Sequence, residues 1–363
     1  MTARALQFVV PGDIHSASGG YVYDRMMIAG LRGLGWRVAV HGLDASFPYP
    51  STEATAHAAH VFARLPAQAC VLVDGLALGA MPQIIEAHSR RLHVVALIHM
   101  PLACEFGIAP AVAEHLRAQE QRALRLVRHV IVSSRGTERA LTSCGIEPAC
   151  VTVVEPGVQN IQIPDRSRVR ALDNGVEMLC VATVQAGKGH ELLIDALAPL
   201  AYLPWRLRCV GSLSRSPAVV ERVAERLDRL GLGDRIELIG DLPHEALSEL
   251  YLAADLFVLP TLRETYCLAV AEALAHGLPV VSSRTGAIPE LVGTEAGLLI
   301  EPGDGDGLRA ALERALSDGA LRDSMRAAAL GVRARLTPWP SACERLARVL
   351  ERVCDLQNAV NRA

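Results

Sequence analysis

Residues Leu256–Ser282 read LFVLPTLRETYCLAVAEALAHGLPVVS. Leu256–Leu259 is a short apolar run of strand length, 266–276 is an Ala/Leu-rich stretch of helix length, and Pro279–Ser282 is a second apolar run. Strand, helix and strand in that order form a βαβ unit, the building block of a parallel sheet buried on both faces. The same rhythm extends outward over the chain. Met178–Ala182, Arg206–Val210 and Ile236–Ile239 read as strands, with helices near 190–200, 217–230 and 243–253 between them. Further back, Leu6–Val10, Arg37–Val40, Cys70–Val73, Val94–Ile98, Val130–Ser133 and Val151–Val154 read as strands, alternating with amphipathic helices such as Tyr21–Leu34 and Ala111–Val127. The irregular polar stretch Gln159–Asn174 breaks the alternation and reads as a linker. The sequence thus predicts an α/β protein with one doubly wound domain over 1–160 and a second over 165–337. A C-terminal helix over 341–363, with Leu346, Val349, Leu350 and Val353 on one face, is expected to pack back on the first domain. Two such domains in tandem are expected to take a ligand in the cleft between them, at the carboxyl ends of the strands.

Composition narrows the function class. The chain has 363 residues, 51% of them apolar and 21% charged, with a net charge of −3. That balance excludes a general nucleic-acid binder, and no apolar run reaches the length of a membrane span. The start, MTARALQFVVPGD, lacks a secretory cleavage pattern and reads as a first strand, so a cytoplasmic protein is expected. Nine cysteines are scattered without a Cys-x-x-Cys pair, which points to reduced core residues rather than a disulfide frame or a zinc site.

The polar residues inside the apolar runs carry the chemistry. From Cys267 to Val281 only Glu272 and His276 are strongly polar, and Glu264 stands just ahead of the helix. A carboxylate in such a run is costly to bury unless it finds donors. The vicinal hydroxyls of a ribose or a sugar are suitable donors, and an arginine is the alternative partner. The helix start adds backbone N–H groups at Tyr266, Cys267 and Leu268, a seat for a phosphate. Lys188 is the only lysine among 36 basic residues and lies in Ala182–His190, ATVQAGKGH, between a strand and a helix. An ammonium there, with glycines beside it, suits a diphosphate. Gly19 and Gly20 precede the helix of Tyr21–Leu34 and permit close approach of an anion or, equally, a plain turn. His99 ends the strand Val94–Ile98, a place where active residues of open α/β sheets sit, and Asp13 and His15 share the first loop.

Glu264 and Glu272 with seven residues between them, followed by Ala-Leu-Ala-His-Gly-Leu-Pro-Val-Val, resemble the signature of the retaining GT-B glycosyltransferases. The resemblance runs on through Gly286, Pro289 and Glu290, then Gly297-Leu298-Leu299 and Pro302-Gly303-Asp304, and is weaker in the first domain. It implies two Rossmann-like domains facing across a cleft, and a metal-independent transfer of a hexose from a UDP- or GDP-sugar to a hydroxyl acceptor, with retention. It implies that Glu264 contacts hydroxyls of the donor sugar, that Glu272 holds the ribose, and that Lys188 neutralises the leaving diphosphate. The Gly19-Gly20 loop is implied to close over the phosphates, His99 to touch the donor sugar, and Thr265, Tyr266, Cys267 and Leu268 to line the donor site. The family usually carries an arginine where this chain has Thr183, and a glycine where it has Cys267. Those two departures keep open a sugar-nucleotide-binding module without turnover, and an epimerase or hydrolase on the same scaffold is the other alternative. The nucleotide sugar is a co-substrate in this reading, and no other cofactor and no metal are called for.

Two patterns are set aside. Asp304-Gly305-Asp306 has the form of a metal-binding pair but reads as a turn with a helix cap before Leu308–Leu316. Arg117, Arg122, Arg125 and Arg128 allow a weak peripheral membrane contact, yet Glu114 and Glu120 dilute them and a solvated face is expected.

Overall fold

The computed structural model describes residues 4–163 and 175–360. Residues 164–174 of the expected linker and the last three of the expected C-terminal helix lie outside them. The chain divides into two compact units, Met1–Gly157 with Thr337–Ala363, and Val158–Leu336.

In the first unit the elements run β1 (Ala5–Pro11), α1 (Gly19–Gly33), β2 (Arg37–Leu43), α2 (Thr52–Arg64), β3 (Cys70–Asp74), α3 (Gly75–Leu78), α4 (Pro82–His88), β4 (His93–Ile98), α5 (Pro110–Leu124), β5 (His129–Val132), α6 (Arg135–Ser143) and β6 (Val151–Val153). Every pairing is parallel, in the order β2-β1-β3-β4-β5-β6. The central strands β3 and β4 are buried from end to end, as their unbroken apolar runs require. Each fully buried Val or Leu there contributes roughly 1.5–3 kcal/mol of transfer free energy. Helix starts follow side-chain chemistry: Ser18, Ser51 and Ser134 accept from backbone N–H groups of α1, α2 and α6. The C-terminal helix, Trp339–Val360, begins two residues earlier than expected and packs against α1. Trp339 lies edge-on to Tyr23, with ring centroids 6.1 Å apart.

The second unit contains β7 (Val176–Val181), α7 (His190–Leu197), β8 (Trp205–Val210), α8 (Pro217–Leu230), β9 (Ile236–Gly240), α9 (His244–Ala253), β10 (Leu256–Leu259), α10 (Leu268–Ala275), β11 (Val280–Ser283), α11 (Ile288–Val292), β12 (Gly297–Ile300), α12 (Gly305–Ser317) and α13 (Gly319–Arg333). Its strands are also all parallel, in the order β9-β8-β7-β10-β11-β12. This is the order of a dinucleotide-binding sheet, and the winding reverses between β7 and β10. The loops leaving those two strands therefore flank the reversal point, where open α/β sheets leave a crevice for a ligand. Gly297-Leu298-Leu299, expected only as part of a motif, lies in an edge strand. No helix of the described residues is long and apolar enough to cross a membrane.

Candidate functional site

In the second unit the two loops at the reversal point are stitched together. After β7 the chain makes a 3-10 turn over Ala186–Lys188 and passes through Gly189 in the left-handed conformation, φ +75°. A Cβ on Gly189 would stand 2.1 Å from the Pro260 carbonyl oxygen, so only glycine fits between the loops. Leu262 N–H donates to the Gly187 carbonyl at 2.8 Å and Thr261 Oγ1 donates to the same oxygen at 3.1 Å. This brings the Lys188 ammonium to 2.5 Å from Glu264 Oε1, with both side chains mostly covered. Thr261 Oγ1 lies 3.4 Å from the same carboxylate oxygen. Burial works against the Lys188 charge, but the Glu264 carboxylate outweighs it, and the ammonium is held above its ordinary range. The Glu264 loop has a second support in the Thr285–Val292 motif. Thr285 Oγ1 accepts from Glu264 N–H at 3.3 Å, and Ala287 N–H donates to the Thr265 carbonyl at 3.0 Å.

The structure corrects the expected start of the neighbouring helix. Helix α10 begins at Leu268, not near 266, and Cys267 caps it at φ +72°. A non-glycine residue there costs about 1–2 kcal/mol, which the buried thiol and the tight turn out of β10 must offset. The N–H groups available at this helix start are thus those of Leu268 and Ala269, with Cys267 immediately outside, while Thr265 and Tyr266 belong to the supporting loop. Glu272 lies one turn into α10 and is partly buried. Its partner is Tyr251 on α9, whose hydroxyl donates to Oε2 at 3.2 Å, and not the arginine that was the alternative. Burial pushes the Glu272 carboxyl up to about 7, with the Tyr251 hydrogen bond pulling the other way. Thr183 follows β7 and is partly exposed, and its hydroxyl has no hydrogen-bond partner among the described residues.

In the first unit, His99 stands beyond β4, and two carboxylates that the sequence does not single out close on it. His99 Nε2 lies 3.0 Å from Asp24 Oδ1 and 3.6 Å from Asp74 Oδ2. Asp24 comes from the inner face of α1, and Asp74 ends β3 and caps α3 through Leu76 N–H at 2.8 Å. Burial alone would lower the imidazole, but Asp24 and then Asp74 raise it above its ordinary value. Asp74 is itself pushed up to about 7 by burial and by Asp24. Gly20 is in the first turn of α1, not in a loop ahead of it; a Cβ there would meet the His99 ring at 3.3 Å, whereas one on Gly19 would meet nothing within 4 Å. Asp13 and His15 form a local turn, with His15 N–H on Asp13 Oδ1 at 2.9 Å. Asp74 had a readable signal, being the one charge at the end of the apolar run Cys70–Val73, and Thr261 stands three residues ahead of Glu264; Asp24 and Tyr251 had none, because their partners are 75 and 21 residues away.

Asp304 does cap α12, accepting from Gly307 N–H at 2.9 Å, and Asp306 pairs with Arg309. Arg117 and Arg122 on α5 pair with Glu114 and Glu86. A buried Cys180–His190–Cys209 group has its ligand atoms within 4.8 Å of one another. The hydrogen bond to Cys209, with burial, raises the Cys180 thiol well above its ordinary range, and burial, with Lys188, pushes His190 down to about 4.

Comparison with known proteins supplies the class. Residues 163–331 match the family described as "Glycosyl transferases group 1". The chain is 30% identical over 288 residues to MMP alpha-(1->4)-mannosyltransferase of Mycolicibacterium hassiacum, a match covering 75% of this chain and 67% of that protein. It is 34% identical over 177 residues to D-inositol 3-phosphate glycosyltransferase of Corynebacterium diphtheriae, covering 47% of this chain and 41% of that one. The chain thus spans about half the length of several curated relatives that it matches. In structure it is similar to sucrose-phosphate synthase from Thermosynechococcus elongatus, with TM-score 0.80, 21% identity and coverage of 96% and 99% of the two chains. It is also similar to HepE from Anabaena in complex with UDP-glucose, with TM-score 0.73, 18% identity and coverage of 96% and 99%. Fold and strand order are those of the GT-B glycosyltransferases, and the chain belongs to the group 1 glycosyl transferases.

Proposed function

We propose that this chain transfers a hexose from a nucleoside diphosphate sugar to a hydroxyl acceptor, with retention of anomeric configuration and without a metal ion. The observation that carries the reading is the Lys188–Glu264 contact of 2.5 Å between the loops of β7 and β10, at the reversal point of a nucleotide-binding sheet. Bond breakage at the anomeric carbon places negative charge on the leaving diphosphate. Lys188, held charged, and the N–H groups at the start of α10 are the groups that would stabilise it. As the ammonium turns to the diphosphate, the Glu264 carboxylate is released to accept from sugar hydroxyls. Glu272 would accept from the ribose hydroxyls, with Tyr251 holding its second oxygen. His99 is assigned to the donor sugar by the resemblance. The relative HepE was solved with UDP-glucose, which favours UDP as the donor nucleotide, with GDP the competing choice. The acceptor is a hydroxyl of a glycan or glycolipid, in a reducing compartment that suits the eight free cysteines among the described residues.

The test is a binding and turnover panel with the purified chain. UDP, GDP and ADP are titrated by calorimetry, and UDP- and GDP-hexoses are then followed for sugar release by anomeric proton NMR. The reading expects one diphosphate to bind and its hexose to be released slowly as the α-anomer or passed to an added acceptor. A chain that binds no nucleoside diphosphate contradicts it, and a chain that binds one but never releases sugar is a binding module.

A further inference from the structure

The first unit buries two carboxylates to which the proposed reaction gives no role. The side chains of Asp24 and Asp74 are 0% and 3% exposed, and their described ion pairs both go to one atom, His99 Nε2. Asp74 spends Oδ1 on the Leu76 N–H and leaves Oδ2 for the imidazole. Asp24 spends Oδ1 on the imidazole, and its Oδ2 is buried without a hydrogen-bond partner. An uncompensated buried carboxylate is costly, so the Asp24 oxygen at 3.0 Å calls for a proton on Nε2. That holds in both states of the ring: the neutral tautomer must carry its hydrogen on Nε2, and the charged ring carries one there as well. The other nitrogen is left over. His99 Nδ1 makes no hydrogen bond among the described residues, and 22% of the side chain is exposed.

The rest of the surroundings fix the ring without competing for it. Tyr23 meets it edge-on with centroids 5.1 Å apart, its phenol engaged by the Val154 carbonyl at 3.0 Å. The His99 carbonyl accepts from Ser133 Oγ at 3.3 Å. Gly20 lies against the Cδ2 and Cγ side of the ring, where a side chain would press on it. The charged groups facing the imidazole are Asp24 from α1 and Asp74 from β3, with Tyr23 the further titratable neighbour.

Resting on the transfer reading above, we infer that Asp24 and Asp74 are positioning residues, which clamp the Nε2–H of His99 and leave Nδ1 as the nitrogen that meets a sugar hydroxyl of the substrate. A hydroxyl both donates and accepts, so it satisfies Nδ1 whether that nitrogen is bare or protonated. A phosphate oxygen would satisfy only the protonated form. The clamp thus names a hydroxyl-bearing ligand for His99.

The experiment uses the full chain labelled with 15N-histidine. His99 is assigned by comparison with His99→Gln, and long-range 1H–15N spectra are recorded as a function of pH. The inference expects the proton on Nε2 in the neutral ring and a titration midpoint above the ordinary histidine value. Asp24→Asn and Asp74→Asn should each lower that midpoint and admit the Nδ1–H tautomer. Turnover should fall about tenfold or more, as when a triad imidazole is turned to the wrong tautomer. Affinity for the nucleoside diphosphate should stay within about twofold, since Lys188, Glu272 and the start of α10, to which the proposed function assigns it, lie in the other unit. Asp74→Glu, which keeps the charge, should recover part of the turnover. A neutral wild-type ring with its proton on Nδ1 overturns the inference, as does an unchanged midpoint and tautomer in both Asn variants. The wild-type spectra decide the matter even where an Asn variant does not fold. If the chain binds and turns over no nucleotide sugar, the transfer reading fails, yet the spectra still show whether the clamp exists.

Discussion

Replacing Glu272 by glutamine removes a charge from a site whose pH response is fixed by its surroundings. In the folded chain the carboxyl is pushed up to about 7 by burial, while the Tyr251 hydroxyl at 3.2 Å favours its ionised form. Two ribose hydroxyls donate well to the carboxylate and poorly to the neutral acid or to an amide. Hydrogen bonds to a charged acceptor are worth about 1.5–3 kcal/mol, so Glu272→Gln should weaken nucleoside diphosphate binding about 10- to 100-fold. The sign with pH follows from the raised carboxyl. The binding form predominates above about 7, and wild-type affinity should fall about tenfold per pH unit below that point. Calorimetric titrations across the neutral range measure this. The ratio of wild-type to Glu272→Gln affinity is the readout, because it cancels the ionisation of the ligand's own phosphate. Tyr251→Phe removes the hydrogen bond that favours ionisation and should move the midpoint of that ratio upward. A ratio near one at every pH, or one that grows toward acid, refutes the ribose role of Glu272.

Transfer should persist in excess EDTA if, as proposed, Lys188 and the α10 helix start meet the leaving-group charge; turnover lost in EDTA and restored by Mg²⁺ or Mn²⁺ would sink that mechanism. Cys267→Gly should leave stability within about 1 kcal/mol, because relief of the left-handed backbone offsets the lost buried thiol; Cys267→Val should cost about 2 kcal/mol or more, read as a shift in the urea midpoint. Glu120, buried on α5 and accepting from Leu102 N–H, is raised from 4.5 to about 7 by desolvation. Its folded form keeps a proton that the unfolded chain releases, so stability is lost as pH rises from about 4.5 through 7, by about 3 kcal/mol in all. Glu120→Gln should flatten that loss, and equal pH slopes for variant and parent in urea unfolding would contradict it.

The fold was legible because parallel strands buried on both faces are unbroken apolar runs, and Leu256–Leu259 and Val94–Ile98 stand out on that ground alone. Gly297–Ile300 opens on a glycine and is only half-buried over its first three residues, and it showed itself only as a motif. The start of α10 was misplaced because helical propensity runs back through Tyr266, whereas in the structure Glu264 and Thr265 are tied to the Thr285–Val292 loop and the chain turns left-handed at Cys267 before the helix begins. Glu264, Glu272, Lys188 and His99 could be picked out as polar residues stranded in apolar or glycine-rich settings. Their partners could not. Asp24 and His99 are 75 residues apart, and Lys188 and Glu264 are 76 apart, so only the packed sheets reveal the pairs.

Lys188 is the side chain on which the proposed transfer depends most directly. The measurement is the turnover and the donor affinity of Lys188→Ala against the parent, with the nucleotide sugar identified by the binding panel. Folding is checked by the urea midpoint, since the change strands Glu264. Charge on the leaving diphosphate grows toward the transition state, so the account predicts turnover lowered about 10²–10³-fold and donor affinity lowered far less. Lys188→Arg should recover only part of the turnover, because a planar guanidinium does not replace a compact ammonium. A folded Lys188→Ala chain that turns over its donor at the parental rate contradicts the account.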